Sequence, residues 1–440
     1  VTVLDPACGS GAFPIGVLQK IVYMLQEIDT DATLWFNKAT ENVSFLIRKE
    51  FEKKFNAGSL DYIRKLTVIQ NSIFGIDIQP IAVEIARLRC FLSLVIEEKV
   101  YDDEPNRGIN PLPNLDFKFI IANTLLFLPH DSDVKKNVSS NQMSIFENQE
   151  HIDQLKAVRE EYFSANDAET KNELKLAFSE IQKSMFQEAL NNNKMASALY
   201  QALFQWEPFN NTVTDWFDAD WMFGIKDGFD IIIANPPYID SENMMNSGMG
   251  GLRDYISNKY KYCKGNWDIY IAFFERSFNL LNETGSLIFI TPDKWISRPF
   301  GEKLRTSLLY HIKSIYQSGR DVFDSALVDS IVTTITKQKS PILITIRDKD
   351  KEKVINTIDK SYFLKVNILD IAFSDYFEFI AKVEKDAVPL SEYAVCENAC
   401  ATSDCYKLKE ILDQLDSYEE FDNTYLKIIN TGTIGRFVPR

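Results

Sequence analysis

The sequence predicts an α/β fold: a doubly wound, mostly parallel sheet with inserted helices. Three observations carry that expectation. Short apolar runs ("VTVL", "NSIFGIDI", "LDFKFIIAN", "FDIIIAN") alternate with longer segments of helical period, the order that crossover-connected parallel strands require. Polar or glycine-rich residues stand where these runs end, and open sheets bind ligands outside the carboxyl ends of their strands. Composition is that of an ordinary globular protein, 45% hydrophobic and 25% charged over 440 residues, enough for two to three domains.

The elements follow in order. "VTVL" (1–4) reads as a short buried strand, and "DPACGSG" (Asp5 to Gly11) turns it into an apolar periodic helix, Phe13 to Ile28. Residues 30–66 read as additional helix of mixed charge. "NSIFGIDI" is the second strand. A helix follows from Pro80 to about Lys99, with Pro80 suited to a first helical turn. "LDFKFIIAN" (Leu115 to Asn123) is the third strand. Residues 131–150 are polar and loop-like. From His151 to Phe204 the apolar positions Leu174, Ala177, Phe178, Ile181, Met185 and Ala189 fall three and four apart, one face of a helix. Two long helices joined near Asn166–Glu169 make an inserted hairpin, a spacer without chemistry. The sheet resumes at "FDIIIAN" (Phe229 to Asn235). A loop rich in Met, Gly, Ser and Asn, Asp240 to Gly251, precedes a helix near Asp268–Leu281. "GSLIFIT", "IKSIYQ" and "VDSIVTTIT" are further strands. The character changes from about Pro389, so the expected organisation is a main domain over 1–380, with helical insertions at 30–66 and 131–215, and a second unit over 386–440.

Bulk properties exclude several classes. No run reaches the roughly 18 apolar residues of a membrane span, and no signal peptide opens the chain. Cytoplasmic location and no membrane partner are expected. The chain lacks a starting Met and begins inside an apparent strand, which reads as a fragment. Cys8, Cys90, Cys263, Cys396, Cys400 and Cys405 are scattered, as in a reducing compartment. The last three, spaced C-x3-C-x4-C, match no zinc pattern, and no metal is expected. Net charge is −15, which opposes nucleic-acid binding on average. Between Asn243 and Arg320, however, eleven Lys or Arg face six Asp or Glu. That local excess is either a DNA-facing surface or a solvated face.

The candidate site lies at the strand ends. Glycines in "DPACGSG" allow close backbone approach, and the helix after them offers free N–H groups. The Lys and Ser/Thr of a P-loop are missing. Asp5 repels phosphate and welcomes an amino-acid ammonium or a sulfonium. Asp77, ending the second strand, suits ribose hydroxyls. Asp29 falls nearer the usual interval of about 20 residues, but no apolar strand precedes it. Asn123 ends the third strand and suits the edge of an adenine ring. Together these residues suit an adenosine carrying an amino-acid tail.

"NPPY" (Asn235, Pro236, Pro237, Tyr238) ends the strand "FDIIIA". An exocyclic amine on a planar base or amide is a poor nucleophile because its lone pair is delocalised. Two acceptors, the Asn235 side-chain oxygen and the Pro236 carbonyl, would bind its two hydrogens and direct the lone pair at an electrophilic methyl, which is electrostatic preorganisation. The two prolines fix that geometry, and Tyr238 stacks on the ring.

"DPACGSG" followed by "NPPY" resembles the S-adenosylmethionine-dependent amino-methyltransferases, gamma-type DNA N6-adenine branch. Within it the chain looks like the methyltransferase part of single-chain type IIG/IIS restriction–modification enzymes. The resemblance covers Val1 to Lys339 and weakens toward the end. It implies a Rossmann-like class I methyltransferase that uses S-adenosyl-L-methionine and acts on double-stranded DNA with one flipped adenine. It gives Asp5, Pro6, Ala7, Cys8, Gly9, Gly11 and Asp77 to the cofactor, Ile78 to packing on its adenine and Asn123 to the adenine edge. Asn235, Pro236 and Tyr238 go to the target base. "DVFDSALVDSIVTTI" is similar to a late motif whose Phe, here Phe323, covers the other face of that base. The family has a cofactor-contacting segment upstream of the glycine-rich turn, and this chain starts after it. "TSDCYKLKEIL" and "YLKIINTGTIGRF" resemble the opening of a target-recognition domain, cut off at Arg440. No nuclease is expected in this piece: "FEKKF" and "IEEK" contain E-x-K spacings, but in helical stretches without a paired Asp strand.

Two other readings compete. Protein glutamine N5-methyltransferases also use NPPY, but resemble a compact domain that ends soon after the last strand. A non-catalytic phage-defence recognition subunit would keep the fold as a scaffold, and intact NPPY and Asp77 oppose it.

Overall fold

The computed structural model describes residues 1–39, 48, 52, 60–98, 100–103, 105–109, 113–128, 149–191, 198–319, 330–339, 344–348, 354–388, 392–394, 434–435 and 438–439. The chain divides into two units, Val1–Phe377 and Glu378–Arg440. Among the described residues, the first unit is built on a nine-stranded sheet of order β3-β2-β1-β4-β5-β7-β6-β8-β9. Its strands are β1 (Val3–Asp5), β2 (Ile73–Asp77), β3 (Phe119–Ile121), β4 (Phe229–Ala234), β5 (Leu281–Pro292), β6 (Ile312–Gly319), β7 (Ser330–Thr336), β8 (Ile344–Asp348) and β9 (Val354–Ile358). The five from β3 to β5 are mutually parallel. β7 runs antiparallel between β5 and β6. The second unit contains a short antiparallel pair, β10 (Ile434–Gly435) and β11 (Val438–Pro439).

The predicted doubly wound, mostly parallel sheet is therefore present. β1 lies between β2 and β4, so the strand order reverses at β1. Open parallel sheets form a ligand crevice at such a switch point. The β1–β2–β3 face is covered by helices Ala12–Ile28, Leu60–Ser72 and Pro80–Val95. Leu18, Val22, Ile63, Ile69, Val83, Ala86 and Cys90 pack there against Val3, Ile73 and Phe119. Gly11 sets how closely the first helix can approach. Its φ is +82°, and a Cβ there would stand 2.9 Å from the Ala86 Cβ, so only glycine meets both demands.

The inserted hairpin is also present, as helices Gln149–Ser164 and Ala168–Asn191. Asp167 begins the second helix by accepting from the Thr170 N–H at 2.7 Å, an N-terminal cap. Rings of Tyr162, Phe178, Trp206 and Phe209 cluster around Phe117, just before β3.

Three readings need correction. Helix continues beyond 66, as Leu60–Ser72, straight into β2. Its buried Tyr62, Ile63, Val68 and Ile69 belong to the sheet's own core. Asp240–Gly251 is mostly helical: Asp240 caps helix Ser241–Asn246 through the Glu242 and Asn243 N–H groups, and helix Gly250–Lys259 follows. Capping and the fully buried Met244 outweigh the glycine-rich composition. Strands β8 and β9 escaped the sequence reading, being short segments at the edge of the sheet.

Candidate active site

The glycine-rich turn leaves β1 with Asp5 almost fully buried. The Ala7 N–H donates to its carboxylate at 3.1 Å. Burial dominates: it pushes the Asp5 carboxyl up to about 8, with Asp77 adding to the rise and the Ala7 bond opposing it. Cys8 is buried too, and burial raises its thiol well above the ordinary value. Its N–H donates to the Ile76 carbonyl at 2.9 Å, stitching the turn to β2. Gly9 has φ of +51°, and the space where a Cβ would stand is open to 4 Å.

Asp77 ends β2 and serves the same turn. One carboxylate oxygen accepts from the Gly9 N–H at 2.9 Å, the other from the Gln79 N–H at 2.9 Å. Each oxygen keeps a further lone pair. Ile78 beside it is 52% exposed, an apolar surface next to the Asp77 carboxylate. Asp29, the alternative, is accounted for: its carboxylate accepts from the Leu34 and Trp35 N–H groups at 3.4 and 2.7 Å, at the start of helix Thr33–Ala39.

After β3, Asn123 accepts the Leu125 N–H on its side-chain oxygen at 3.1 Å. Next to it, the buried Thr124 hydroxyl donates to the Pro6 carbonyl at 2.7 Å. The turns after β1, β2 and β3 thus form one bonded unit, and Asp5–Gly11, Asp77 and Asn123 come together as expected.

NPPY leaves β4, on the other side of the switch point. Asn235 is half-buried, Pro236 buried and Pro237 exposed. Tyr238 donates its hydroxyl to the Asn235 side-chain oxygen, and the same hydroxyl lies 3.2 Å from the Ile290 carbonyl of β5. Its ring stands perpendicular to that of the buried Tyr270, centroids 6.3 Å apart. Burial raises the Tyr238 phenol to about 12, so it remains a donor at neutral pH. The turn is held by a backbone bridge, Ile269 N–H to the Ile239 carbonyl and Ser241 N–H to the Trp267 carbonyl, both 2.8 Å. Sequence reasoning missed this brace because "NWDIY" carries no motif by itself. Phe323 lies outside the described residues.

In the basic window, Arg276 and Arg305 are buried and bind backbone carbonyls, so they add nothing to an outer surface. Lys261, Lys264, Lys294, Arg298, Lys303 and Lys313 are exposed. Of the E-x-K spacings, Glu97 pairs with Lys65 at 2.6 Å and Glu52 with Arg48 at 3.1 Å. Cys8, Cys90 and Cys263 are buried free thiols, and Cys396, Cys400 and Cys405 lie outside the described residues. Among the described residues, no His, Cys, Asp and Glu group is arranged to hold a metal ion. No helix among them is long and apolar enough to cross a membrane.

A doubly wound sheet with bonded polar turns at four adjacent strand ends defines a Rossmann-like α/β protein, a fold whose ligands bind at the switch point. The Eco57I restriction-modification methylase model matches residues 71–323, more than half of the chain. The chain belongs to that family. It is 25% identical over 401 residues to the "Putative type II restriction enzyme and methyltransferase RM.MjaORFECS2P" of Methanocaldococcus jannaschii, covering 79% of this chain and 31% of that protein. It is 32% identical over 135 residues to the type II restriction enzyme and methyltransferase RM.Eco57I of Escherichia coli, covering 30% of this chain and 13% of that one. The chain thus spans a third or less of the length of these relatives. Among solved structures, a DrdV–DNA complex shares 12% identity over 79% of this chain and 24% of its own, with a TM-score of 0.38.

Proposed function

We propose that the chain transfers a methyl group from S-adenosyl-L-methionine to the N6 amine of adenine in a specific DNA sequence, as part of a restriction–modification system. The observation that carries this is the union, at one switch point, of the Asp5–Asp77–Asn123 unit with the Asn235–Tyr238 turn.

The residues fit that cofactor. Open space over Gly9 admits a ligand against the backbone, Asp77 keeps lone pairs for ribose hydroxyls, and Ile78 offers an apolar surface for a purine. Asp5 supplies a carboxylate for a cationic tail. Bound there, S-adenosylmethionine would supply an electrophilic methyl carbon, with S-adenosylhomocysteine as the leaving group and one amine hydrogen released as a proton.

On the target side, the Asn235 side-chain oxygen and the Pro236 carbonyl accept the two amine hydrogens. They localise the lone pair and stabilise the positive charge that develops on nitrogen. Asn235 can do this while holding Tyr238, because a carboxamide oxygen has two lone pairs. Tyr238 covers one face of the extruded base, and Phe323 is the proposed cover for the other. Extrusion costs a few kcal/mol, which stacking at about 1–3 kcal/mol per base offsets.

The test is transfer of radiolabel from S-adenosylmethionine by the full-length protein to unmethylated bacterial DNA, scored against transfer to protein. Label in N6-methyladenine is the expected result. Label in protein glutamine would favour the amide reading instead, and no transfer at all would leave the fold as a scaffold.

A further inference from the structure

Side chains from far along the chain grip the segment that follows β3. Arg276, on helix Tyr270–Leu280, donates Nε to the Thr124 carbonyl at 3.0 Å and Nη2 to the Phe217 carbonyl at 2.7 Å. Its guanidinium lies 4.2 Å from the centre of the Phe127 ring, within cation–π range. Tyr260, almost fully buried, donates its hydroxyl to the Leu125 carbonyl at 2.7 Å. Successive carbonyls, those of Thr124 and Leu125, are thus held by two buried side chains. Between them and Asn123 stands the Leu125 N–H, which occupies the Asn123 side-chain oxygen.

That last bond has a chemical consequence. It fixes which end of the Asn123 amide is the oxygen: that oxygen keeps one lone pair for an amine hydrogen, and the NH2 group beside it is the donor the side chain can offer a ligand. A donor matches a purine ring nitrogen that accepts, such as N1 of adenine. It opposes the protonated N1 of a 6-oxopurine, where two donors would meet and one would be stranded. The discrimination depends on the Asn123 amide staying where Leu125 holds it, and Leu125 stays where Tyr260 and Arg276 hold its neighbouring carbonyls.

We propose that Arg276 and Tyr260 are positioning residues that hold the Asn123 donor in register with the cofactor's purine, so that the site reads adenine against a 6-oxopurine. The inference rests on the cofactor reading above and deepens it. The two residues stand 137 to 153 positions from Asn123 in the chain, and the helix carrying Arg276 starts beside the NPPY turn. One helix therefore serves both sides of the crevice.

Calorimetry with S-adenosylhomocysteine and S-inosylhomocysteine on the full-length protein tests this without DNA. The unmodified protein should prefer the adenine form by about tenfold or more, the worth of one hydrogen bond lost with a donor left unpaired. Asn123→Ala should bring the ratio close to one. Tyr260→Phe and Arg276→Lys should each lower the ratio about threefold or more. A purely structural role would reduce the number of binding-competent molecules, visible as a lower stoichiometry, and leave the ratio alone. An unchanged ratio in Tyr260→Phe, beside a collapsed ratio in Asn123→Ala, overturns the positioning role, and Tyr260→Phe decides alone if Arg276→Lys does not fold. An unchanged ratio in Asn123→Ala overturns it as well. If the unmodified protein binds neither nucleoside, the cofactor reading itself falls and this inference with it.

Discussion

The Tyr238 hydroxyl donates to the side-chain oxygen of Asn235, three residues earlier in the same turn. The tyrosine that is to cover the base therefore also orients the amide that is to polarise its amine. Orientation matters because the amide has one accepting and one donating end. Asn235→Ala should lower methyl transfer by about 10²–10³ or more, the cost of one preorganised acceptor, with cofactor affinity nearly unchanged. Near-normal turnover by folded Asn235→Ala would remove NPPY from the mechanism.

Tyr238→Phe separates the two roles. The ring remains, and the bond to Asn235 is lost. Turnover should fall about fivefold to tenfold, as for an ordinary hydrogen bond. Extrusion of 2-aminopurine at the target position, read by fluorescence, should persist. Tyr238→Ala should weaken both, since stacking is worth about 1–3 kcal/mol. Equal loss of extrusion in both variants would count against a separate orienting role.

Asp77→Ala should act on the cofactor side. A charged acceptor to hydroxyls is worth about 1.5–3 kcal/mol, and the Gly9 N–H loses its partner as well. Affinity for S-adenosylhomocysteine should drop about tenfold to a hundredfold by calorimetry. Unchanged affinity would move the ribose contact elsewhere.

If Asp5 meets the cofactor's cationic tail as proposed, cofactor binding should depend on pH. Burial raises its carboxyl from 3.8 to about 8, so at neutral pH the free protein holds it largely protonated. A cationic ligand tail favours the ionised form, so binding must expel a proton. Affinity for S-adenosylhomocysteine should therefore rise from pH 6 to 7.5, by at most about tenfold per unit. The fold responds in the opposite sense. The neutral carboxyl's contribution to stability is complete below 3.8 and is lost as pH rises through about 8. Asp5→Asn should flatten both profiles, and a pH-independent affinity in the unmodified protein would exclude a titrating Asp5.

Asp240 caps the helix that replaces the expected loop. Its carboxylate accepts from the Glu242 and Asn243 N–H groups at 3.1 and 2.7 Å. Asp240→Ala should cost about 0.5–2 kcal/mol locally, seen as faster hydrogen exchange over 241–246 without change in β1–β5. No change in exchange would mean that the backbone bridge to Trp267 and Ile269 holds this segment unaided.

Much of this molecule is legible in its sequence. "FDIIIAN" and "NSIFGIDI" announce buried strands because alternation and apolar runs are local properties, and Pro80 marks a helix start by its own ring. The turn residues Asp5, Asp77, Asn123 and Asn235 were legible for a related reason: polar groups at the end of an apolar strand need a partner, and the fold class says where strand ends point. Asp240–Gly251 was misread because glycine content speaks of the unfolded chain's freedom, while a cap and the buried Met244 speak of contacts formed after folding.

What no local pattern carries is which distant groups meet. Thr124 reaches Pro6 across 118 positions, and Arg276 reaches Thr124 across 152. In sequence Arg276 reads as one more cation in a basic window. Burial beneath the post-β3 segment turns it into a clamp on backbone carbonyls. Hydrophobic periodicity defines each element alone. The order in which strands pair, and hence which turns share a crevice, is settled only when the sheet closes around β1 and buried donors and acceptors must all find partners there.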